Sequence, residues 1–243
     1  GAMSVVELLV LLYNEHMKVG PKEPRKSDRD WFVMSKGHAG PALYATLAHR
    51  GFFPREWLHT LNRGGTSLPS HCDRNLTPGI DMTTGSLGQG FSAAVGVALG
   101  LAMDRSPVKV YALIGDGESD EGQVWEAAMF AGHRRLSKLI AFTDFNKQQL
   151  DGFTKDILDL ESLDAKWRAF GWETLRVEGH DIGALDAAIR KAKAATGRPS
   201  MIIMDTIKGK GCSFAEGLES NHNMTYGMDE ANKAIAALAG EGK

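Results

Sequence analysis

Asp116 is flanked by Gly115 and Gly117, and Asn146 follows thirty residues later. Each stands just past a short apolar run, residues 108–114 and 139–143 respectively. Thirty residues is close to the length of one β-α-β unit. If the two runs are neighbouring parallel strands, a carboxylate and a carboxamide oxygen converge on one point at the strand C-termini. Ligands bind along that edge in sheets of this kind. Hard oxygen donors suit Mg²⁺ or Ca²⁺, and Mg²⁺ commonly takes one carboxylate together with the phosphate oxygens of a substrate. Gly115 and Gly117 would let backbone N–H groups approach a phosphate, aided by the N-terminus of the helix that follows. Taken alone, Gly-Asp-Gly also describes a tight turn.

The elements that must position these residues are legible from periodicity. Val5, Leu8, Leu9 and Leu12 recur at helical spacing, with Ser4 placed to cap. Residues 20–30, polar and holding two prolines, read as a connection. Pro41 opens a second helix and Gly51 closes it. Residues 60–84, rich in Gly, Pro, Ser and Thr, form a long loop of the kind that is often functional. Residues 91–103 are apolar most of the way round, which predicts a buried helix. Strands are then expected at 108–114, 139–143, 174–177 and 201–206. Helices at 122–134, 160–170 and 182–195 alternate with them, and a helical tail covers 229–238. Such alternation implies an α/β fold, a mostly parallel sheet with helices on both faces. No repeat or low-complexity segment interrupts it, so residues 1–243 are read as a single domain.

Composition narrows the function classes. Among 243 residues, 28 Lys and Arg oppose 30 Asp and Glu, without a basic block, which argues against nucleic acid as the main partner. The longest apolar stretches, such as 5–13 around Glu7, fall far short of a membrane span, and no signal peptide opens the chain. Cys72 and Cys212 are too few for a disulfide framework and lack metal-ligand spacing, so a reducing, cytoplasmic setting is expected.

The segment Gly115-Asp116-Gly117-Glu118-Ser119-Asp120-Glu121-Gly122-Gln123-Val124-Trp125-Glu126-Ala127, followed by Asp144-Phe145-Asn146-Lys147-Gln148-Gln149-Leu150-Asp151-Gly152, resembles the thiamine-diphosphate fingerprint of transketolases. Ser35-Lys36-Gly37-His38-Ala39 looks like that family's Ser-x-Gly-His-Ala, and Thr84-Gly85-Ser86-Leu87-Gly88-Gln89-Gly90 like its Thr-Gly-x-Leu-Gly-Gln-Gly. Lys208-Gly209-Lys210-Gly211, with His222 fourteen residues after Lys208, is similar in spacing too. The resemblance runs from about Ser4 to Tyr226.

It implies a thiamine-diphosphate-binding fold and a set of roles. Asp116, Asn146 and the backbone carbonyl of Gln148 would hold Mg²⁺, or Ca²⁺ in its place, and the ion would tie down the cofactor's diphosphate. Gly117 and Lys208 would contact that diphosphate, with His222 nearby, while Gly85 and Leu87 would line the aminopyrimidine. His38 and His71 would face the reactive carbon and the sugar. Glu121 and Glu126 match acidic positions that link two active sites across a dimer in the family. Two departures stand out: Ser70-His71-Cys72 replaces the common Gly-His-Pro, and Asn223 follows His222 where glycine is usual.

Each residue also has a plainer reading. His38 alone suits a structural hydrogen-bonder, and Glu121 and Glu126 suit a helix N-terminus. His71-Cys72 lacks the second His/Cys pair that zinc requires.

In the family the cofactor lies between two domains, and the second carries the glutamate that activates the pyrimidine. After 201–206 this chain has only a loop and the helical tail, with no room for that domain. The expectation is therefore the amino-terminal subunit of a split transketolase. It would work with a separate carboxy-terminal pyrimidine-binding subunit, in a hetero-oligomer built on a dimer, and move two-carbon ketol units between sugar phosphates. An excised domain of a longer enzyme is the competing explanation. The α-subunit of a 2-oxoacid dehydrogenase, a deoxyxylulose-phosphate synthase and a non-catalytic remnant are the alternatives in function.

Overall fold

The alternating pattern of the chain resolves into one wholly parallel sheet. The computed structural model describes residues 1–219, 221, 222 and 224–241; Asn223 therefore lies outside the described residues, as does the end of the 1–243 span. The strands are β1 (Trp31–Met34), β2 (Val110–Gly115), β3 (Leu139–Phe145), β4 (Glu173–Glu178) and β5 (Ser200–Asp205), in the order β1-β2-β3-β5-β4. β2 and β3 are direct neighbours, with Val110 opposite Leu139 and Gly115 opposite Asp144. This pairing satisfies the condition under which Asp116 and Asn146 converge.

Helices cover both faces because successive strand residues point to opposite sides. Phe32, Met34, Tyr111, Leu113, Ile140 and Phe142 pack against α1 (Val6–Leu11), α2 (Gly40–His49) and α7 (Ile182–Ala194). Val33, Ala112, Ile114, Ala141 and Ile203 pack against α3 (Gln89–Met103), α4 (Gly122–His133) and α6 (Leu163–Ala169). Phe91, Trp167 and Trp172 fill this second layer, Trp167 and Trp172 meeting edge to face at 5.0 Å. A single turn, α5 (Thr154–Ile157), and the tail helix α8 (Met228–Glu241) complete the molecule. Two helix starts carry a side-chain cap: Asp181 accepts from the N–H of Ala184 at α7 and Ser162 from that of Ala165 at α6. No helix among the described residues is long and apolar enough to cross a membrane.

Three features differ from the sequence expectation. β1 was not anticipated, because its four residues are too few to show a period; parallel pairing with β2 creates it. Ser4 does not cap the first helix, its hydroxyl donating to Asp144 instead, and that helix ends in a π turn, Leu12–His16. α3 is not buried all round: Phe91, Ala94, Val95 and Ala98 face the core, while Gly96, Gly100 and Met103 are exposed. Apolar residues on every side of this helix thus cover the sheet on one side and leave an apolar face open on the other.

Candidate functional site

The C-terminal ends of β1, β2, β3 and β5 open onto one cleft of about 260 Å³. Lys36 and His38 come from the turn after β1, Asp116 and Gly117 from the end of β2, Asn146 and Gln148 from the end of β3, and Lys208 from the loop after β5. The long loop 61–88 adds His71, Gly85 and Leu87, and the segment before α8 adds His222. Every sequence-predicted site residue lines this cleft except Glu121 and Glu126. Those two are exposed at the start of α4, Glu121 packing near Gly88.

Around the metal-ligand candidates the backbone is held by the side chains themselves. The Asp116 carboxylate accepts from the N–H of Gly117 at 2.8 Å and from that of Lys147 at 2.5 Å. Lys147 has a positive φ of 64°, which turns the chain sharply after β3. Asn146 Oδ1 accepts from the N–H of Gln148 at 3.1 Å. Burial, and then the nearby Asp144 carboxylate, push the Asp116 carboxyl up to about 7. A cation at this point would favour the ionised form. Gln148 Oε1 is buried without a hydrogen-bond partner among the described residues. No group of three His, Cys, Asp or Glu side chains gathers anywhere among them. The donor set here is therefore one carboxylate, one carboxamide and main-chain oxygen, which fits a hard divalent ion completed by phosphate oxygens and does not fit zinc.

The walls are equally constrained. A Cβ on Gly117 would lie 2.7 Å from Gln149 Cβ, so glycine is what lets the β2 and β3 loops close on each other. Lys208 Nζ lies 3.4 Å from the carbonyl of Gln149 and 3.4 Å from His222 Nδ1. Burial, then the charge of Lys36, hold Lys208 below the ordinary lysine value. His222 is likewise lowered, by burial and then Lys208. His38, its ring 5.2 Å from that of His222, is pushed down to about 3 by burial and then Lys36. Both imidazoles are neutral at neutral pH and available to donate or accept a hydrogen bond. His71 sits against Gly85, while burial raises the Cys72 thiol beside it to about 12.

The sequence reading passed over the residues that join these motifs. Glu118, buried, accepts from Ser35 Oγ and from the N–H groups of Gly88 (2.9 Å) and Gly115 (3.1 Å), linking three motifs through one carboxylate. Burial raises its carboxyl above the ordinary value. Lys36 pairs with Asp144, which also accepts from Ser4, Thr206 and Asn146. One signal was available: Asp144 is an acid directly following the mostly apolar run 139–143, and a buried charge needs a partner.

Comparison with known proteins gives a consistent result. The family model for "Transketolase, thiamine diphosphate binding domain" matches residues 1–241. The chain is 58% identical over 242 residues to a 6-deoxy-6-sulfo-D-fructose transketolase subunit from Clostridium sp. (strain MSTE9), covering 100% of this chain and 88% of that one. It is 38% identical to an apulose-4-phosphate transketolase subunit from Phocaeicola vulgatus, covering 98% and 85%. Among solved structures it superposes on transketolase from Leishmania mexicana with a TM-score of 0.92 and 33% identity. That match covers 98% of this chain and 37% of the Leishmania enzyme, so the chain spans little more than a third of that protein.

Proposed function

This chain belongs to the transketolase family, as its thiamine-diphosphate-binding domain, and we propose that it is the amino-terminal subunit of a two-chain transketolase. It would bind Mg²⁺ and the diphosphate of the cofactor, and share the active site with a separate pyrimidine-binding subunit. The observation that carries this reading is the convergence of five sequence-distant motifs on one cleft at four strand ends.

When bound, thiamine diphosphate supplies the carbanion-stabilising centre for moving a two-carbon ketol unit. The chain's own part is binding and orientation. Asp116, Asn146 and the Gln148 carbonyl would hold the ion, with Gly117 and Lys208 on the diphosphate and His222 beside it. Gly85 and Leu87 would line the pyrimidine. His38 and His71 would orient sugar hydroxyls, and the neutral ring of His38 is able to take or give a proton at a ring nitrogen.

The named relatives act on ketoses that end in a sulfonate or a phosphate. The substrate class proposed here is accordingly a ketose with a terminal anionic group, sugar phosphates included. A dimer at the centre of the assembly is supported by the exposed Glu121 and Glu126 and by the apolar surface that Gly96, Gly100, Met103, Met129 and Phe130 leave open. A cytoplasmic setting is supported by the two cysteines, both free.

Calorimetric titration of thiamine diphosphate into the chain, with Mg²⁺ and then with chelator, tests the reading. Binding that requires the metal is expected. Absence of binding, with or without the pyrimidine-binding subunit, would favour a non-catalytic remnant instead.

A further inference from the structure

Asp144 is the only charged residue in β3, and its side chain is completely buried. Four side chains donate to it. Lys36 Nζ, Ser4 Oγ (2.7 Å) and Asn146 Nδ2 (3.1 Å) reach Oδ2, and Thr206 Oγ1 reaches Oδ1. Lys36 is itself only 2% exposed. Lys36 Nζ against that carboxylate makes a buried ion pair. A buried ion pair is commonly no more stable than an apolar pair of the same volume, so stability does not account for this one.

Its geometry suggests what does. A carboxylate oxygen only accepts, so the Asn146 atom facing Asp144 must be the amide nitrogen. The Gln148 N–H only donates, so the atom facing it must be the amide oxygen. Both contacts demand the same orientation of one carboxamide, and that orientation keeps Oδ1 on the Gln148 side, away from Asp144. Through Thr206 the same carboxylate reaches the β5 end, two residues before Lys208. Through Lys36 it reaches the turn that carries His38.

We propose that the Lys36–Asp144 pair is a positioning device: it locks the Asn146 carboxamide with its oxygen presented to the divalent cation and ties three strand ends into one register. This rests on reading Asn146 as a metal ligand. Partners of this kind behind a ligand typically govern metal affinity by about 10- to 100-fold.

The test measures Mn²⁺ affinity, by the spin resonance of the free ion, in the presence of thiamine diphosphate. Lys36→Met/Asp144→Leu replaces the pair with apolar side chains and leaves no acceptor for Asn146 Nδ2. Affinity should fall about 10- to 100-fold while the melting temperature stays near that of the parent chain. Lys36→Met/Asp144→Asn restores an acceptor without the charge and should recover most of the loss. A merely structural pair would not be rescued in this way.

Parental affinity in a folded Lys36→Met/Asp144→Leu chain would overturn the proposal while leaving the ligand reading intact, provided Asn146→Ala weakens Mn²⁺ binding. Unchanged binding in Asn146→Ala would remove the ligand reading itself, and the proposal with it. If the apolar variant does not fold, the parent chain decides. The side-chain amide protons of Asn146 should exchange with solvent at least about tenfold more slowly than those of a free carboxamide. Exchange at the free rate would contradict the lock.

Discussion

The Asp116 carboxylate accepts two main-chain hydrogen bonds, and the described residues offer it no ion pair. Asp116→Ala should therefore lower metal-dependent cofactor affinity by on the order of 100-fold. Calorimetry gives that loss, and thermal melting should show a chain still folded, since a buried carboxyl has been removed and no salt bridge broken. His38 makes a second prediction. Its ordinary value of 6.5 is depressed to about 3 in the folded chain. Between these pH values the unfolded chain binds a proton that the folded chain does not, so stability from this site is complete above pH 6.5 and declines as pH falls toward 3. An NMR titration should find the His38 ring unprotonated at about pH 5; half-protonation near 6.5 would refute the burial argument. The ligand and cofactor candidates were legible because each sits inside a short motif. The roles of Lys36, Asp144 and Glu118, which lie inside the same motifs, were not, because they depend on partners far along the chain. Ser35 and Glu118 are 83 positions apart, and Lys36 and Asp144 are 108 apart.

Backbone packing between motifs has consequences for whole elements. The first turn of α3 lies so close to the end of β1 that a Cβ on Gly90 would come within 2.8 Å of Ser35 Cα. Gly90→Ala should cost about 1–3 kcal/mol by denaturant unfolding and weaken cofactor binding, since Ser35 precedes Lys36 and His38. Gly51 serves as the contrast. It ends α2 at a φ of 77° with open space around it, so Gly51→Ala should cost about 1–2 kcal/mol from backbone strain alone and leave cofactor binding unchanged. The strands β2, β3 and β5 were readable as apolar runs since they are buried on both faces. β1 was not, because four residues carry no period and its strand character comes from pairing with β2. α3 misled in another way: apolar periodicity reports that surface avoids water, without saying whether its own chain or another covers it.

At the scale of the whole molecule, the parallel architecture followed from the alternation of elements, and the placement of the site followed from that architecture. The proposed second chain has no such local origin. It comes from the relatives named as transketolase subunits, which this chain matches at 58% and 38% identity. In the proposed division of labour this chain supplies the metal and diphosphate ligands and the sugar-facing histidines, and a pyrimidine-binding partner supplies the rest. The most direct test is a ketol-transfer assay with thiamine diphosphate, Mg²⁺, a ketose bearing a terminal phosphate or sulfonate and an aldose acceptor. It would be run on this chain, on the pyrimidine-binding partner, and on the two mixed. Neither chain alone should turn over, the mixture should, and turnover should be lost when Asp116→Ala replaces the parent chain. Full turnover by this chain alone, or a mixture indifferent to Asp116→Ala, would contradict that division of labour.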